Sequence, residues 1–215
     1  YNRKTEDLLW NYSVPTPPFL YNSMTANGGS IRNTGVEVSV TVVPVQTRDW
    51  QWITSMNYST NKSKLLSLSS DQYVSNDYSD QGWLPEPMQM ASHRIQVGEP
   101  IGNFYGYKSI DIDENGHWII EGADGKPKPI EEQVPEDKKI IGNGLPKHFL
   151  NWNNTVRYKN FDFTVTMRGA FGFDILNSAK LQFGSPIMLT RGNIFNTAYD
   201  KVYGKVPLAD DQGLQ

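Results

Sequence analysis

The stretch from Leu150 to Phe173 constrains the fold more than any other part of the chain. It alternates two kinds of side chain with period two, across a turn at Lys159-Asn160. Leu150, Trp152, Asn154, Val156 and Tyr158 share one parity; Asn151, Asn153, Thr155 and Arg157 share the other. After the turn, Phe161, Phe163, Val165, Met167, Gly169, Phe171 and Phe173 alternate with Asp162, Thr164, Thr166, Arg168 and Ala170. In a β-strand each parity occupies one face. The second run exceeds the usual globular strand of about 5–6 residues. It suits a membrane-spanning strand of about 9–11 residues, apolar toward lipid and polar toward a wet lumen. Aromatics near both ends match the girdles at the two interfaces of a barrel wall. The pattern predicts an all-β fold, a segment of an antiparallel transmembrane barrel.

Composition narrows the alternatives. The chain has 215 residues, a net charge of −3 and no cysteine. The near-neutral balance supplies no electrostatic reason to expect nucleic acid. The lack of cysteine removes disulfides, thiol catalysis and thiolate metal sites. A helical span needs about twenty consecutive apolar residues, and no such run occurs. A mean hydropathy of −0.54 is compatible with a barrel, because half of each strand faces water.

A second hairpin precedes the first. Val36, Val38, Val40 and Val42 alternate with Glu37, Ser39 and Thr41. Pro44 to Asp49 reads as the turn, since proline cannot continue the ladder of an inner strand. The return strand, Trp50 to Thr60, alternates Trp50, Trp52, Thr54, Met56 and Tyr58 with Gln51, Ser55, Asn57 and Ser59, and Ile53 interrupts the polar parity. Tyr1 to Trp10 alternates only weakly, and Asn11 to Arg32 reads as a loop rich in Pro, Asn, Gly and Ser. Barrels carry short turns on the periplasmic side and long loops outside. If both tight turns are periplasmic, regions 63–147 and 176–215 are extracellular loops. Ile101–Ile112 and His117–Glu121 then form either a ribbon in the loop or an extra pair in the wall, and the ribbon fits better, as neither segment alternates cleanly. No segment predicts a helix.

Several short pieces occur in a characteristic order. They are Asp7-Leu8-Leu9, Asn33-Thr34-Gly35-Val36-Glu37, Asp49-Trp50, Val97-Gly98-Glu99-Pro100-Ile101-Gly102 and Phe104-Tyr105-Gly106-Tyr107. Ile140-Ile141-Gly142-Asn143, Pro146 and Tyr158-Lys159-Asn160-Phe161-Asp162 complete the series. In this order they resemble the barrel region of SusC/RagA-type TonB-dependent transporters of the Bacteroidetes outer membrane. The resemblance implies that residues 1–215 are a partial barrel, with the plug and the closing C-terminal strands absent. A transporter of this kind needs about 22 strands around a plugged lumen. It also implies an importer of oligosaccharides or peptides, located in the bacterial outer membrane. Its expected partners are a SusD-like surface lipoprotein, outer-membrane lipid, and TonB acting through the plug. No cofactor and no enzymatic activity are expected.

Candidate site residues follow from chemistry and parity. Trp83, Trp118, Tyr105 and Tyr107 lie in the expected loops, where aromatic faces can stack on sugar rings or pack the loop itself. Arg157 and Arg168 fall on the polar parity and would line the lumen, with plug contact the preferred role. Asp111, Asp113 and Asn115 open like a calcium loop with Gly116 at the sixth position, but position twelve is Gly122 rather than a bidentate carboxylate. A solvated turn at Asn115-Gly116 is the better reading, and no metal is expected. His93, His117 and His148 show no ligand spacing. Gly98–Gly102 lacks the ending of a phosphate loop.

Two other classes compete. A secreted or surface β-sandwich that binds carbohydrate would explain the strands and aromatics, and it requires the apolar face to pack on a second sheet. A β-rich glycosidase needs two carboxylates across a cleft, whereas Glu37 and Asp162 lie in separate hairpins.

Overall fold

The computed structural model describes residues 1–72, 74–114, 117–184, 186–199, 201–202 and 206–207. The strands, in chain order, are β1 (Asn2–Glu6), β2 (Leu9–Ser13), β3 (Ser23–Asn27), β4 (Ser30–Gln46), β5 (Trp50–Ser67), β6 (Tyr78–Trp83), β7 (Ala91–Gln96) and β8 (Asn103–Gly106). They continue with β9 (Ser109–Ile112), β10 (Trp118–Glu121), β11 (Pro127–Pro129), β12 (Lys139–Asn143), β13 (His148–Tyr158) and β14 (Phe161–Phe171). One α-helix, α1, spans Ser178–Phe183. The chain divides into two compact units, the first comprising Tyr1–Ser79, Ile95–Ile101 and Leu145–Asp174, the second Asp80–Arg94, Gly102–Gly144 and Ile175–Gln215.

The first unit is built on an antiparallel sheet in the order β1-β4-β5-β13-β14. Both long hairpins predicted from alternation are present. The Lys159-Asn160 turn joins Tyr158 to Phe161, and the other hairpin returns at Trp50. The decisive pairing is β5 with β13, which runs without a shift from Trp50↔Tyr158 to Thr60↔His148. Since β5 and β13 are direct neighbours, nothing between them in sequence adds a strand at that point of the wall. Segment 101–121 therefore belongs to the loop excursion, as the poorer alternation suggested. It forms parts of two small sheets rather than a single ribbon.

Pro44 does not end its strand. β4 runs on to Gln46, with a bulge where Val42 pairs Thr54 and Val45 pairs Trp52. The extra residue takes Pro44 out of the regular ladder, so its missing N–H leaves no partner unsatisfied. The turn itself is Thr47–Asp49, closed by Thr47 N donating to Trp50 O at 2.7 Å. The backbone N–H of Lys159 donates to Asp49 O at 2.8 Å. The two tight turns therefore sit side by side on one edge of the sheet.

At the opposite edge, β5 continues to Ser67, past the expected start of the loop at 63, because Ile31–Thr34 still pairs with Lys62–Leu65. The Val97–Ile101 piece packs back on this extension. Leu65 N donates to Glu99 O at 3.0 Å, Gly98 N donates to Leu65 O at 2.8 Å, and Ile101 N donates to Ser63 Oγ at 3.3 Å. Gly98 makes the tight reversal at φ +90, a conformation that side chains disfavour. Leu65 and Ser63 are buried. Part of the 11–32 stretch, expected to be loop, forms the β2–β3 hairpin, and Tyr12 Oη donates to Leu68 O at 3.0 Å.

The second unit includes the small antiparallel sheets β11-β10-β9 and β12-β8-β7-β6. Ile120, only 1% exposed, and Ile112 are its largest fully buried side chains. Phe104 is buried and meets the His93 ring edge-on at 4.8 Å. The helix α1 was not anticipated. Asn177 caps it by accepting from Lys180 N at 2.9 Å. The signal was a single capping residue before one turn and a half of chain, too little to stand out from a polar loop.

Candidate functional site

The sheet of the first unit has two chemically opposite faces, and residues paired across strands lie on the same one. Register stacks Val38–Tyr58–Leu150–Gly169, Val40–Met56–Trp152–Met167, Val42–Thr54–Asn154–Val165 and Val45–Trp52–Val156–Phe163 into rows across four strands. These rows form one continuous apolar face. It is open: Phe161 is 76% exposed, Phe163 64%, and Val36, Val38, Val40, Val42, Trp152, Met167 and Phe171 are exposed too. The sandwich alternative required these side chains to pack beneath a second sheet. The structure leaves them uncovered.

Polar atoms on this face are held by their apolar neighbours. Trp152 Nε1 donates to Thr54 Oγ1 at 2.9 Å, and Trp52 Nε1 donates to Asn154 Oδ1 at 3.4 Å. The face is bordered by aromatic rows. Beside the tight turns, the Trp50 and Tyr158 rings lie 4.4 Å apart, next to Phe161 in register. At the other border Tyr58 Oη and His148 Nδ1 are hydrogen-bonded at 2.7 Å. A strand of the length of β13 extends about 34 Å, or about 26 Å along the normal at a tilt of about 40°. That matches an apolar band about 25 Å tall.

The opposite face carries the rows Ser39–Asn57–Asn151–Arg168, Thr41–Ser55–Asn153–Thr166 and Gln46–Gln51–Arg157–Asp162. Ser39 Oγ donates to Asn57 Oδ1 at 2.5 Å. Ile53 sits here, opposite Thr155. The structure separates the two arginines expected on this face. Arg157 Nε donates to Asp162 Oδ1 at 2.7 Å, so its charge is met within its own hairpin. Arg168 stands opposite Asn151 and has no acidic partner among the described residues. The Asn151 Oδ1 atom is buried without a hydrogen-bond donor among them.

The four aromatic candidates all belong to the second unit. Trp83 ends β6 and is 72% exposed; Trp118 starts β10 and is 43% exposed. Tyr105, on β8, has the Arg94 guanidinium over its ring at 3.7 Å, and Arg94 is itself held by Asp80 at 2.7 and 2.9 Å. One face of Tyr105 is therefore already occupied. Lys138 Nζ lies 5.3 Å from the Tyr107 ring centre. Burial, with Asp137 nearby, raises the Tyr107 phenol above its ordinary value. The structure thus distributes the candidates rather than gathering them: Trp83 and Tyr105 share a sheet with β7 between their strands, and Trp118 is in the other sheet.

Two carboxylates organise this unit. Asp137, 2% exposed, accepts from Lys128 Nζ at 2.8 Å, Val134 N at 2.9 Å and Ala123 N at 2.9 Å. These hydrogen bonds, that from Lys128 foremost, hold its pKa down at about 2. Glu121 bridges Lys108 Nζ at 2.6 Å and Lys139 Nζ at 2.9 Å, and is likewise held at about 2. In the calcium-like stretch, Asp111 Oδ1 accepts from Ile112 N, while Asp113 Oδ1 accepts from His117 N at 2.8 Å and closes the β9–β10 turn. Asn115 and Gly116 lie outside the described residues, as does Tyr73, a further aromatic of the expected loop 63–147, and so do 203–205 and 208–215 of the expected second loop. No group of three or more His, Asp and Glu able to hold a metal occurs among the described residues.

Known proteins resemble this chain over most of its length. It is 32% identical over 198 residues to the TonB-dependent receptor P3 of Formosa agariphila, covering 86% of the chain and 19% of that receptor. It is 29% identical over 218 residues to the TonB-dependent receptor SusC of Bacteroides thetaiotaomicron, covering 93% of the chain and 19% of SusC. Among solved structures, one described as the RagAB peptide transporter matches 96% of the chain with a TM-score of 0.67 at 18% identity, covering 23% of its own chain. The RagAB peptide importer in the 'closed-closed' state matches 86% with a TM-score of 0.66. No family model matches. The chain spans about a fifth of the length of the curated relatives it matches.

Proposed function

We propose, from the premise that this chain is homologous to a segment of SusC-type TonB-dependent receptors and has the fold of a transmembrane barrel segment, that it forms wall and outer loops of an outer-membrane nutrient importer. The observation that carries this reading is the open apolar face, continuous over β4, β5, β13 and β14 and backed by a polar one. Such a sheet is unfavourable in water and favourable between hydrocarbon and a wet lumen. The side-by-side tight turns face the periplasm in this reading, and regions 63–147 and 176–215 supply extracellular loops. The activity is transport, not covalent chemistry: TonB acts through a plug elsewhere in the receptor, and a SusD-like lipoprotein covers the mouth.

The cargo we propose is oligosaccharide. Trp83 and Trp118 offer the exposed rings for stacking on sugars, Tyr107 is a further candidate with Lys138 over its ring, and Tyr105 serves mainly as a support clamped by Arg94. A peptide cargo is the second reading, favoured by the fold shared with the RagAB peptide importer. Uptake by cells expressing a receptor that carries this segment tests both. Trp83→Ala with Trp118→Ala is expected to reduce glycan uptake about tenfold or more, since each stacked ring contributes roughly 1 kcal/mol. Unchanged glycan uptake, with peptide uptake lost, would transfer the assignment to peptide.

A further inference from the structure

The apolar face does not end in neutral residues at its outer border. Above the row Val36–Thr60–His148–Phe171, the same face carries Thr34 opposite Lys62, and then Lys4, Arg32 and Lys64 opposite one another across β1, β4 and β5. Directly opposed residues have Cβ atoms about 5 Å apart, and like charges in that position repel. Only Lys4 is offset, by Glu6. Among the described residues Arg32, Lys62 and Lys64 have no carboxylate partner, and all three are exposed. At the same height the other face is closed: Ser63 and Leu65 are buried there, and Val97–Ile101 lies alongside this stretch of β5 through bonds to Leu65 and Ser63. The strand pair therefore covers its polar-side face and leaves a cationic row open on the side continuous with the apolar band.

We infer that Lys4, Arg32, Lys62 and Lys64 form a binding site for the phosphate-bearing headgroup of an anionic lipid in the outer leaflet. The inference rests on the reading of the sheet as barrel wall. In that setting the acyl chains lie along Val36–Val42 and the phosphates meet the ammonium and guanidinium groups one and two rows above His148. A polar protein partner would have to share its site with lipid tails, whereas a phospholipid or phosphoglycolipid has the required order of groups, tails below and anion above. Arg32 can bind phosphate bidentately, with the lysines as point charges on either side.

The test uses a receptor carrying this segment, in nanodiscs of phosphatidylcholine alone or doped with diphosphoryl lipid A. Bound lipid is measured by native mass spectrometry and by titration. The wild type is expected to retain lipid A in preference to phosphatidylcholine. The triple variant Arg32→Gln, Lys62→Gln, Lys64→Gln is expected to bind it at least about tenfold more weakly, since each basic group near an anionic surface counts. Lys126→Gln, a charge removed from an exposed loop, should leave affinity unchanged. Triple-variant affinity within about twofold of wild type overturns the site, as does displacement of lipid A by inorganic phosphate at equal concentration. Insertion into the discs is read separately by flotation. Failure of the wild type to insert overturns the wall reading; normal insertion with unchanged lipid affinity overturns the lipid site alone.

Discussion

Trp152 Nε1 donates to Thr54 Oγ1 at 2.9 Å, from the next row of the apolar face. In hydrocarbon neither group has water as an alternative partner, so the pair must satisfy itself. We expect Thr54→Val to destabilise the receptor by about 0.5–1 kcal/mol, and Trp152→Phe to cost little more once Thr54 is valine. A double-mutant cycle by urea unfolding from bilayers measures the coupling. Strict additivity would show that the contact is idle.

Adjacent residues on β14 should respond oppositely to charge. Met167 lies on the apolar face and Thr166 on the polar one, near mid-strand. Met167→Arg is expected to cost about 2–4 kcal/mol of stability in the bilayer, while Thr166→Arg should stay within about 1 kcal/mol. Equal costs would contradict the assignment of faces.

Asp137 makes the second unit acid-sensitive in a defined window. Its pKa of about 2 lies below the ordinary carboxylate value of about 3.9, so between the two the unfolded state binds more protons. The stabilisation is complete above the upper value and is lost as pH falls toward the lower one. Amide exchange at Ala123 and Val134, corrected for its intrinsic pH dependence, should accelerate across that window. In Asp137→Asn it should be fast throughout and no longer respond to acid there.

The two arginines of the polar face should differ. Arg157 is already paired with Asp162, whereas Arg168 is not paired among the described residues. If Arg168 meets an acidic group of the plug, Arg168→Gln should expose the plug to protease at least about threefold faster. Arg157→Gln should leave that rate near wild type. Equal rates for Arg168→Gln and wild type would remove the plug contact.

Much of the wall was legible because face assignment needs only parity. Val36 to Val42 and Phe161 to Phe171 declare their side of the sheet without reference to any partner. The Lys159-Asn160 turn was readable for the same reason, since it lies where alternation breaks and resumes. Pro44 misled, because a bulge can carry proline through a strand, and bulges depend on the neighbouring strand. The aromatic loop residues were recognisable as candidates, but Arg94 over Tyr105 was not. That stacking depends on β7 and β8 lying side by side.

By itself, then, the order of residues determined that there are two amphipathic hairpins and which side of each is greasy, since these are local properties of an alternating chain. Tertiary structure alone decided that β5 lies against β13 across a long excursion, in the register that places Trp152 beside Thr54. It likewise aligned Lys4, Arg32 and Lys64 in one row. Hydrogen-bonded register is a long-range choice among many pairings of similar local energy, and only the simultaneous matching of apolar rows over four strands selects one.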